Sequence, residues 1–569
     1  MKQSSIFLLI FINLVIFQPV LRNFGVGGPF NYSTMAQSIR KAFINGKIYT
    51  VNEKQPYAQA VVIEDDKIVY VGSESGADKF IDAGTDVIDL KGKLMLPGFN
   101  DTHLHFTSGG RYLLGINLRP ALSKEEFAKI IKEYVSGRGD RWITGGRWDN
   151  ELWSDKTFPT KELIDSVTRN TPVFVSRIDG HMGLANSVAL QLAGINKNTP
   201  DPDGGLIMRD PETGEPTGIL KDNAMELIFN IIPPPSIEEN VDATMAALEE
   251  ARKLGVTSVQ DMTQPGELEA YNKVMEDGNL TCRIYSIWPI DRYEDIVRTG
   301  MTAGNDKGLI KRGALKGYAD GSLGALTAWF FDPYKQDPST SGLPTDVVTN
   351  GKLEKWAIDA DRNRLQICIH AIGDRANAYV LDLYQKIENQ NSPWERRFRI
   401  EHAQHLRESD ISRFKELGVI ASVQPYHCID DGVWAEKRIG HERAMFTHIY
   451  KSLINSGAVV AFGTDWPVAP LSPLYGIYAA VSRRTVDGKN PDGWNPEQKI
   501  SVETAIKCYT LNPAYASFEE NIKGSIEVGK LADFVVLDED ILKIDPVKIK
   551  DVNVTMTVFD GEIVYKSED

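Results

Sequence analysis

The chain has 569 residues, of which 42% are hydrophobic and 25% are charged. This composition is typical of a globular protein and excludes collagen-like, coiled-coil and wholly disordered chains. The formal net charge is −15, and because an acidic surface repels phosphate backbones, we expect no nucleic-acid partner. The four cysteines are far apart and form no CxxC pair, which argues against a disulfide framework and against a thiolate zinc site.

The first 34 residues resemble a secretory signal. Lys2 precedes an apolar run over residues 6–17, which is too short for a membrane span but suits a signal-peptide core. We therefore expect a secreted or extracytoplasmic protein. The alternative is a cytoplasmic protein that starts at Met35, because no small-x-small cleavage pattern follows the run closely.

Short alternating strands are predicted at both ends of the chain. Residues 43–49 have the pattern of a strand, an Asn-Gly turn and a strand, and residues 61–63 and 67–71 form a second pair. Residues 533–537 and 558–565 repeat this pattern near the other end. We predict one small β domain built from residues 42–96 and 520–567.

The middle of the chain alternates apolar runs with helical stretches, as in α/β proteins with a parallel sheet. A (β/α)₈ barrel needs eight strands, whereas ten runs are present, beginning near Leu94, Trp142, Pro172, Thr257, Cys282, Ala314, Leu365, Phe398, Val419 and Val459. The runs at Trp142 and Pro172 precede a Gly/Pro/Asp-rich stretch at 201–218, within which residues 206–208 and 218–220 resemble a hairpin. We therefore predict a TIM-like barrel over residues 97–515, with an insertion of about 110–235 after barrel strand one.

Polar side chains stand at the ends of several predicted barrel strands, where the active sites of such barrels lie. Residues two apart in a strand face the same side, so His103 and His105 can bind one metal together. His370 and His402 end two later strands, and Asp465 ends the last. Each has a structural alternative, a buried histidine or, for Asp465, a helix N-cap, but their joint placement favours a metal site.

Lys316 ends another predicted strand and is expected to point into the barrel. A buried lysine is costly unless it is paired or modified. Reaction with CO₂ would convert it into a carbamate, an anionic oxygen ligand able to bridge two metals. The alternative is an ion pair between Lys316 and Asp320.

Six motifs together resemble the amidohydrolase superfamily, and within it amidohydrolase family 3, which includes N-substituted formamide deformylase-like enzymes. They are PGFNDTHLH, DGHMGLANS, LKGYADGSLG, IHAIGD, IEHAQ and GTDWPV. The resemblance covers nearly the whole chain from about residue 42 to 565. It implies a metal-bearing (β/α)₈ barrel whose ligands are His103 and His105 on strand one, Lys316 on strand four, His370 on strand five, His402 on strand six and Asp465 on strand eight.

The activity implied by this resemblance is hydrolysis of a non-peptide C–N bond, of the amide type, in a small-molecule substrate. The ligands suit one or two Zn²⁺ ions, and Mn²⁺, Fe²⁺ and Co²⁺ are alternatives. A bound metal lowers the pKa of water to about 7, and Asp465 is expected to act as the catalytic proton carrier. The sequence is also compatible with a homo-oligomer.

Four further residues are candidate substrate contacts. His181 lies in the DGHMGLANS motif, Asp320 follows strand four and His427 follows strand seven. Trp148 lies in the insertion, where it has the alternative of simply packing that segment. His181 has the alternative of a turn histidine.

Two other functions are weighed against the amide hydrolase. One is a deaminase of the same superfamily, with Asp374 as the acid after the histidine of strand five. Lys316 argues against it, because one-metal deaminases need no carbamate bridge. The other is a non-catalytic amidohydrolase-like binding protein, against which the complete ligand set argues. The sequence does not name the substrate.

Overall fold

Eight parallel strands form the centre of the molecule. The computed structural model describes residues 39–136, 141–177, 182–202 and 204–568. The strands follow one another around the sheet in chain order, and each pairs in parallel with the next. This is the predicted TIM-like barrel. Barrel strands one to eight are Phe99–Leu104, Val256–Met262, Arg283–Pro289, Ile310–Tyr318, Gln366–Ala371, Arg399–His402, Ile420–Val423 and Val460–Phe462.

Backbone hydrogen bonds join the end of barrel strand eight to barrel strand one. The N–H of Asp465 donates to the carbonyl of His103 at 2.6 Å, and the N–H of His105 donates to the carbonyl of Trp466 at 2.9 Å. The carboxyl ends of the first and last strands therefore meet, although they lie at opposite ends of the barrel sequence.

Helices connect the barrel strands, and their packing follows from local sequence. Ser236 and Glu239 form a capping box that starts the helix Ile237–Lys253. This helix packs closely on Phe106–Leu114, since a Cβ at Gly110 would lie 1.8 Å from the carbonyl oxygen of Ala243. The other helices of this part are Glu267–Glu276, Tyr293–Val297, Asp346–Thr349, Lys352–Arg362, Asp374–Gln390, Glu408–Glu416, Pro425–Asp431, Ala435–Ile439, His441–Ala444, Tyr450–Asn455, Pro473–Ser482, Val502–Cys508 and Leu511–Ala516.

Strands from both ends of the chain share a sheet, as the alternating pattern predicts. Val535 pairs with Leu96 in an antiparallel ladder at its centre. The order of this six-stranded sheet is Glu562–Lys566, Val554–Phe559, Phe534–Leu537, Leu94–Pro97, Lys47–Tyr49 and Tyr57–Ala58. A four-stranded sheet accompanies it, in the order Lys67–Gly72, Ala60–Glu64, Arg40–Ile44 and Asp86–Asp89, with the short helix Glu74–Ala77.

Two local predictions need correction. The Asn45-Gly46 turn joins no hairpin, because Arg40–Ile44 and Lys47–Tyr49 lie in different sheets. The apolar run at Leu94 belongs to the terminal sheet, and barrel strand one begins only at Phe99. Gly98 lies between the two strands and must be glycine, since a Cβ there would lie 2.2 Å from the hydroxyl oxygen of Thr257.

A separate six-stranded sheet lies between barrel strands one and two, where the insertion is predicted. Its order is Gly205–Arg209, Pro216–Asp222, Met182–Ala185, Val173–Arg177, Ile143–Trp148 and Ile116–Asn117. The first two of these strands form the predicted hairpin, with Ile207 opposite Leu220. Helices Lys124–Val135, Lys161–Thr168, Ser187–Leu192 and Glu226–Phe229 accompany the sheet.

Some predictions concern residues outside the described ranges. The signal-like residues 1–34 lie outside the described residues, and the secretory prediction is untested. Within the described ranges, no helix is both long enough and apolar enough to cross a bilayer. The four cysteines, Cys282, Cys368, Cys428 and Cys508, are buried free thiols.

Candidate metal centre

The six predicted metal ligands all lie at the carboxyl end of the barrel. His103, Lys316, His370 and His402 lie in the last residues of strands one, four, five and six. His105 directly follows strand one, and Asp465 follows strand eight. Because parallel strands of a closed barrel present these ends to one opening, side chains far apart in sequence share one small volume.

His103, His402 and Asp465 form the tightest group. One nitrogen or oxygen atom from each lies within 4.8 Å of the others, and all three residues are buried. His105 joins this group from the same strand as His103, as the two-residue spacing predicts. Its Nε2 lies 3.5 Å from Asp465 Oδ1, and the Nε2 of His103 lies 3.7 Å from the same oxygen.

His370 approaches the group from strand five. Its ring centroid lies 4.5 Å from that of His402. Its Nε2 lies 3.1 Å from the carbonyl oxygen of Gly321, which can accept a hydrogen bond from it. With Nε2 engaged in this way, Nδ1 is the ring nitrogen of His370 left to bind a metal.

Two residues that the sequence analysis did not single out orient the histidines. Glu401 Oε2 lies 2.6 Å from Nδ1 of His103, and Gln424 Oε1 lies 2.7 Å from Nδ1 of His402. When Nδ1 donates to these oxygens, Nε2 of each ring keeps a lone pair for a metal.

Left-handed backbone at the strand ends explains why the sequence pattern does not predict Glu401 as a residue of the centre. Successive residues of a strand point to opposite faces, yet Glu401 and His402 both contact residues of the centre. The φ angle of His402 is 73° and that of Ala403 is 41°, so the strand turns here. Asp465, with a φ of 59°, has the same left-handed conformation. Such angles are costly for non-glycine residues and cluster at functional sites.

Burial keeps three histidines of the centre, His103, His370 and His402, neutral. It lowers the pKa of His103 to about 4 and that of His370 to about 3, and it also lowers the pKa of His402. Neutral imidazole is the form that binds a metal. Burial opposes ionisation of Asp465, but hydrogen bonding to His105 holds its pKa below the ordinary value.

Lys316 is buried in the centre without an acidic partner. Only 4% of the residue is exposed, and its Nζ lies 5.0 Å from the centroid of the Tyr318 ring. Burial lowers its pKa to about 8. Among the described residues, no carboxylate lies within ion-pair distance of its Nζ, so the alternative of a Lys316–Asp320 ion pair is not formed.

Asp320 is a structural carboxylate in this arrangement. It accepts hydrogen bonds from the backbone N–H groups of Trp329 at 2.8 Å, Ile372 at 3.0 Å and Gly373 at 2.8 Å. It therefore ties the loop after strand four to the loop after strand five. The predicted contact between Asp320 and substrate stays a prediction.

The other predicted substrate contacts separate into three cases. Trp148 is fully buried in the insertion, where its Nε1 donates to the carbonyl of Val175 at 2.9 Å and its ring stacks on Trp153. This placement corrects the expectation of substrate contact and matches the packing alternative. His427 does reach the centre, with Nε2 4.0 Å from Asp465 Oδ2. His181 lies outside the described residues.

Comparison with known proteins now identifies the family. A family model described as the amidohydrolase family matches residues 86–565. The chain belongs to amidohydrolase family 3. This finding agrees with the resemblance carried by the six sequence motifs.

Three known proteins are similar to most of this chain. Protein LONG AFTER FAR-RED 3 from Arabidopsis thaliana is 38% identical over 510 residues, 87% of this chain and 86% of that protein. N-substituted formamide deformylase from Arthrobacter pascens is 26% identical over 551 residues, 94% and 99% of the two chains. A solved structure, an uncharacterized metal-dependent hydrolase from Pyrococcus furiosus, is 31% identical, covers 89% of this chain and 100% of its own, and has a TM-score of 0.76.

The donor set of this amidohydrolase fits a divalent metal. His103 and His402 offer neutral imidazole nitrogens, and Asp465 offers carboxylate oxygens within the same 4.8 Å group. Such nitrogen and oxygen ligands suit first-row divalent ions. Together with family membership and the hydrolase structure it resembles, this makes the chain a metal-dependent hydrolase.

Proposed function

We propose that this amidohydrolase hydrolyses a non-peptide C–N bond of the amide type in a small-molecule substrate, with zinc as its metal. The observation that carries the proposal is the buried group of His103, His402 and Asp465, whose donor atoms lie within 4.8 Å of one another. A bound divalent ion supplies activated water at neutral pH and polarises a carbonyl group. The residues of the chain supply orientation and proton transfer.

Asp465 is the proposed proton carrier. Its Oδ1 faces His103 and His105 at 3.7 and 3.5 Å, whereas its Oδ2 faces His427. One oxygen can therefore bind the metal while the other takes a proton from the attacking water. The lowered pKa of Asp465 keeps its carboxylate ionised at neutral pH. It then returns the proton to the nitrogen of the leaving amine.

Lys316 is proposed to carry a carbamate. After the ammonium loses one proton, its neutral Nζ would attack the carbon of CO₂, forming an N–C bond as one C=O π bond opens to an anionic oxygen. A second proton then leaves the nitrogen, so that two protons are released in all and the buried cation becomes an anion. The absence of a carboxylate within ion-pair distance of Nζ among the described residues supports this, as does the burial of the side chain. With two carbamate oxygens added, the ligand set suits two ions; without them it suits one.

His427 is proposed to donate a hydrogen bond to the substrate. Its Nε2 is buried and, within the described chain, has no hydrogen-bond partner. Because buried polar atoms are almost always paired, a bound substrate oxygen is a suitable acceptor. His427 lies beside the proton carrier, which places this contact next to the reacting bond.

No observation favours the deaminase alternative. Asp374, its suggested acid, accepts a hydrogen bond from the backbone N–H of Phe331 at 3.0 Å at the start of the helix Asp374–Gln390. It acts there as a loop anchor.

Metal analysis followed by a substrate panel tests the proposed function. The purified protein should contain zinc, and a chelator should abolish hydrolysis until zinc is restored. The panel should begin with N-substituted formamides, the compounds named by the Arthrobacter relative, and continue through other amides. Release of ammonia from aminated rings without any amide cleavage would overturn the amide assignment in favour of deamination.

A further inference from the structure

A buried ion pair lies beneath the metal centre. Glu401 Oε1 accepts a hydrogen bond from Arg399 Nε at 2.7 Å, and Glu401 Oε2 lies 2.6 Å from Nδ1 of His103. The side chains of Arg399 and Glu401 have no exposed surface, and that of His103 is only 2% exposed. One carboxylate therefore joins a guanidinium to a proposed metal ligand, with no solvent between them.

Arg399 is itself held from several sides. One terminal nitrogen donates to Gln260 Oε1, and the other donates to the carbonyl of Thr102 at 2.6 Å and to Ser422 Oγ at 3.2 Å. These partners belong to barrel strands one, two and seven. The guanidinium is thus fixed across the barrel interior, and Glu401 has little freedom to turn away from His103.

We propose that Arg399 and Glu401 are positioning residues that set which ring nitrogen of His103 faces the metal. An ionised carboxylate only accepts hydrogen bonds, so Nδ1 of His103 must carry the ring proton. Nε2 is then left with its lone pair directed at the space beside Asp465. This inference rests on the proposed metal site, but its test needs no substrate.

The contrast with His402 supports this role. His402 is oriented by Gln424, a neutral amide whose nitrogen donates to the carbonyl of Ser422 at 3.4 Å. A neutral amide would be sufficient to hold a ring in place. A buried ion pair costs desolvation free energy that an uncharged contact avoids. We therefore infer that the ion pair beside His103 is there to provide a group that accepts a hydrogen bond and cannot donate one.

The Glu401→Gln variant breaks this device with little change of shape. Arg399 Nε still needs an acceptor, so the amide oxygen turns to Arg399 and the amide nitrogen turns to His103. Nδ1 must then accept, and the ring proton moves to Nε2, where it blocks metal binding. We expect zinc affinity to fall roughly 10–100-fold. The Glu401→Asp variant keeps an acceptor-only group and should retain most of the affinity.

Two measurements test the proposal. Zinc dissociation constants come from competition with a chromophoric chelator, using zinc alone. The tautomer of His103 comes from long-range ¹H–¹⁵N spectra of histidine-labelled apo protein, assigned with His103→Asn. Glu519→Gln is the matched control, because Glu519 is also buried and paired with Lys311 and Lys523 and, within the described residues, forms no ion pair with a histidine. It should leave both measurements unchanged.

The outcomes separate this inference from the proposed function. The inference is supported if His103 carries its ring proton on Nδ1 in the wild type and on Nε2 in Glu401→Gln, and if that variant binds zinc more weakly. Zinc affinity within twofold of wild type, or an unchanged tautomer in folded Glu401→Gln, overturns it. If Glu401→Gln does not fold, Glu401→Asp decides: loss of the Nδ1–H form in that folded variant overturns the proposal, and its retention supports it. A wild type that binds zinc but hydrolyses no amide refutes the proposed function alone.

Discussion

The barrel and the insertion both contain parallel strands, yet among the described residues the candidate metal ligands gather only at the strand ends of the barrel. In the insertion, Ile116–Asn117, Ile143–Trp148 and Val173–Arg177 run parallel, but the sheet continues with antiparallel strands and stays open. In the barrel, all eight strands are parallel and the last is hydrogen-bonded back to the first. Strand ends that are not neighbours in the sheet are therefore brought together only where the sheet closes.

The hydrogen-bond partners of two arginines, one in the insertion and one in the barrel, show this difference. Arg177 ends a strand of the insertion and bonds to its neighbours there, with Nε 3.0 Å from Asn150 Oδ1 and a terminal nitrogen 3.4 Å from Asp149 Oδ1. Arg399, inside the barrel, contacts residues from four strands, its own included. Closure turns local pairing into a shared site, and this difference can be tested by substitution.

Lys316→Ala should give the largest effect on the barrel side of the comparison. If the carbamate holds the metal, the variant loses bound metal and hydrolysis together. A short-chain carboxylic acid should restore part of the activity, because it can occupy the vacated space and offer an anionic oxygen. Metal content measured by mass spectrometry, alongside turnover with and without added acid, checks this.

Lys311→Met is the control for Lys316. Lys311 belongs to the same strand but pairs with Glu519 at 2.6 Å near the strand's other end. It should keep the metal. Full activity and metal content in Lys316→Ala would refute the carbamate.

Asp465→Asn should lower kcat by about 10²–10⁴-fold, the usual contribution of general-base catalysis. Asn has nearly the same size and still offers an oxygen, but it cannot accept a proton. The fold should survive, as judged by thermal unfolding, because Asp465 follows a strand and is not part of the apolar core. Asp487→Asn, in an exposed loop, is the control. Turnover within a few-fold of wild type would show that Asp465 is not the proton carrier.

Much of this site could be predicted because strand-end position and residue type point the same way. His103, His370 and His402 each end an apolar run, and the structure brings all three to one place. Glu401 could not be predicted in this way. Strand alternation places it on the face opposite His402, and only the left-handed backbone at His402 reverses that expectation. Residue type alone does not predict such a backbone angle.

The fold shows the same limit where distant pairing overrides local preference. Asn45-Gly46 has the composition of a tight hairpin turn. Lys41 pairs in parallel with Asp86, and Lys47 pairs in parallel with Leu94, so the two strands beside the turn join different sheets. These partners lie far along the chain, and the sequence near the turn carries no sign of them.

Trp148→Ala tests the insertion side of the comparison. Trp148 packs on Phe127 and Trp153 in a fully buried core, so its removal should destabilise the protein by about 3–5 kcal/mol. The KM and kcat of the folded enzyme should stay within about twofold of wild type. Thermal unfolding and steady-state kinetics below the melting transition check both. A tenfold rise in KM with unchanged stability would return Trp148 to the substrate site.

His427→Ala should give the smallest effect. His427 follows barrel strand seven and reaches the metal centre, but it is not one of the predicted metal ligands. A net hydrogen bond to substrate contributes about 0.5–1.5 kcal/mol, so kcat/KM should fall roughly 2- to 13-fold while metal content stays unchanged. His427→Gln, which keeps a donor at similar reach, should recover part of the loss. His441→Ala is the control, because His441 is exposed and forms an ion pair with Glu436 at 3.2 Å, away from the metal centre. If His427→Ala loses metal instead, His427 belongs to the metal ligands; if kcat/KM does not change, substrate leaves its Nε2 unpaired and the proposed contact is wrong.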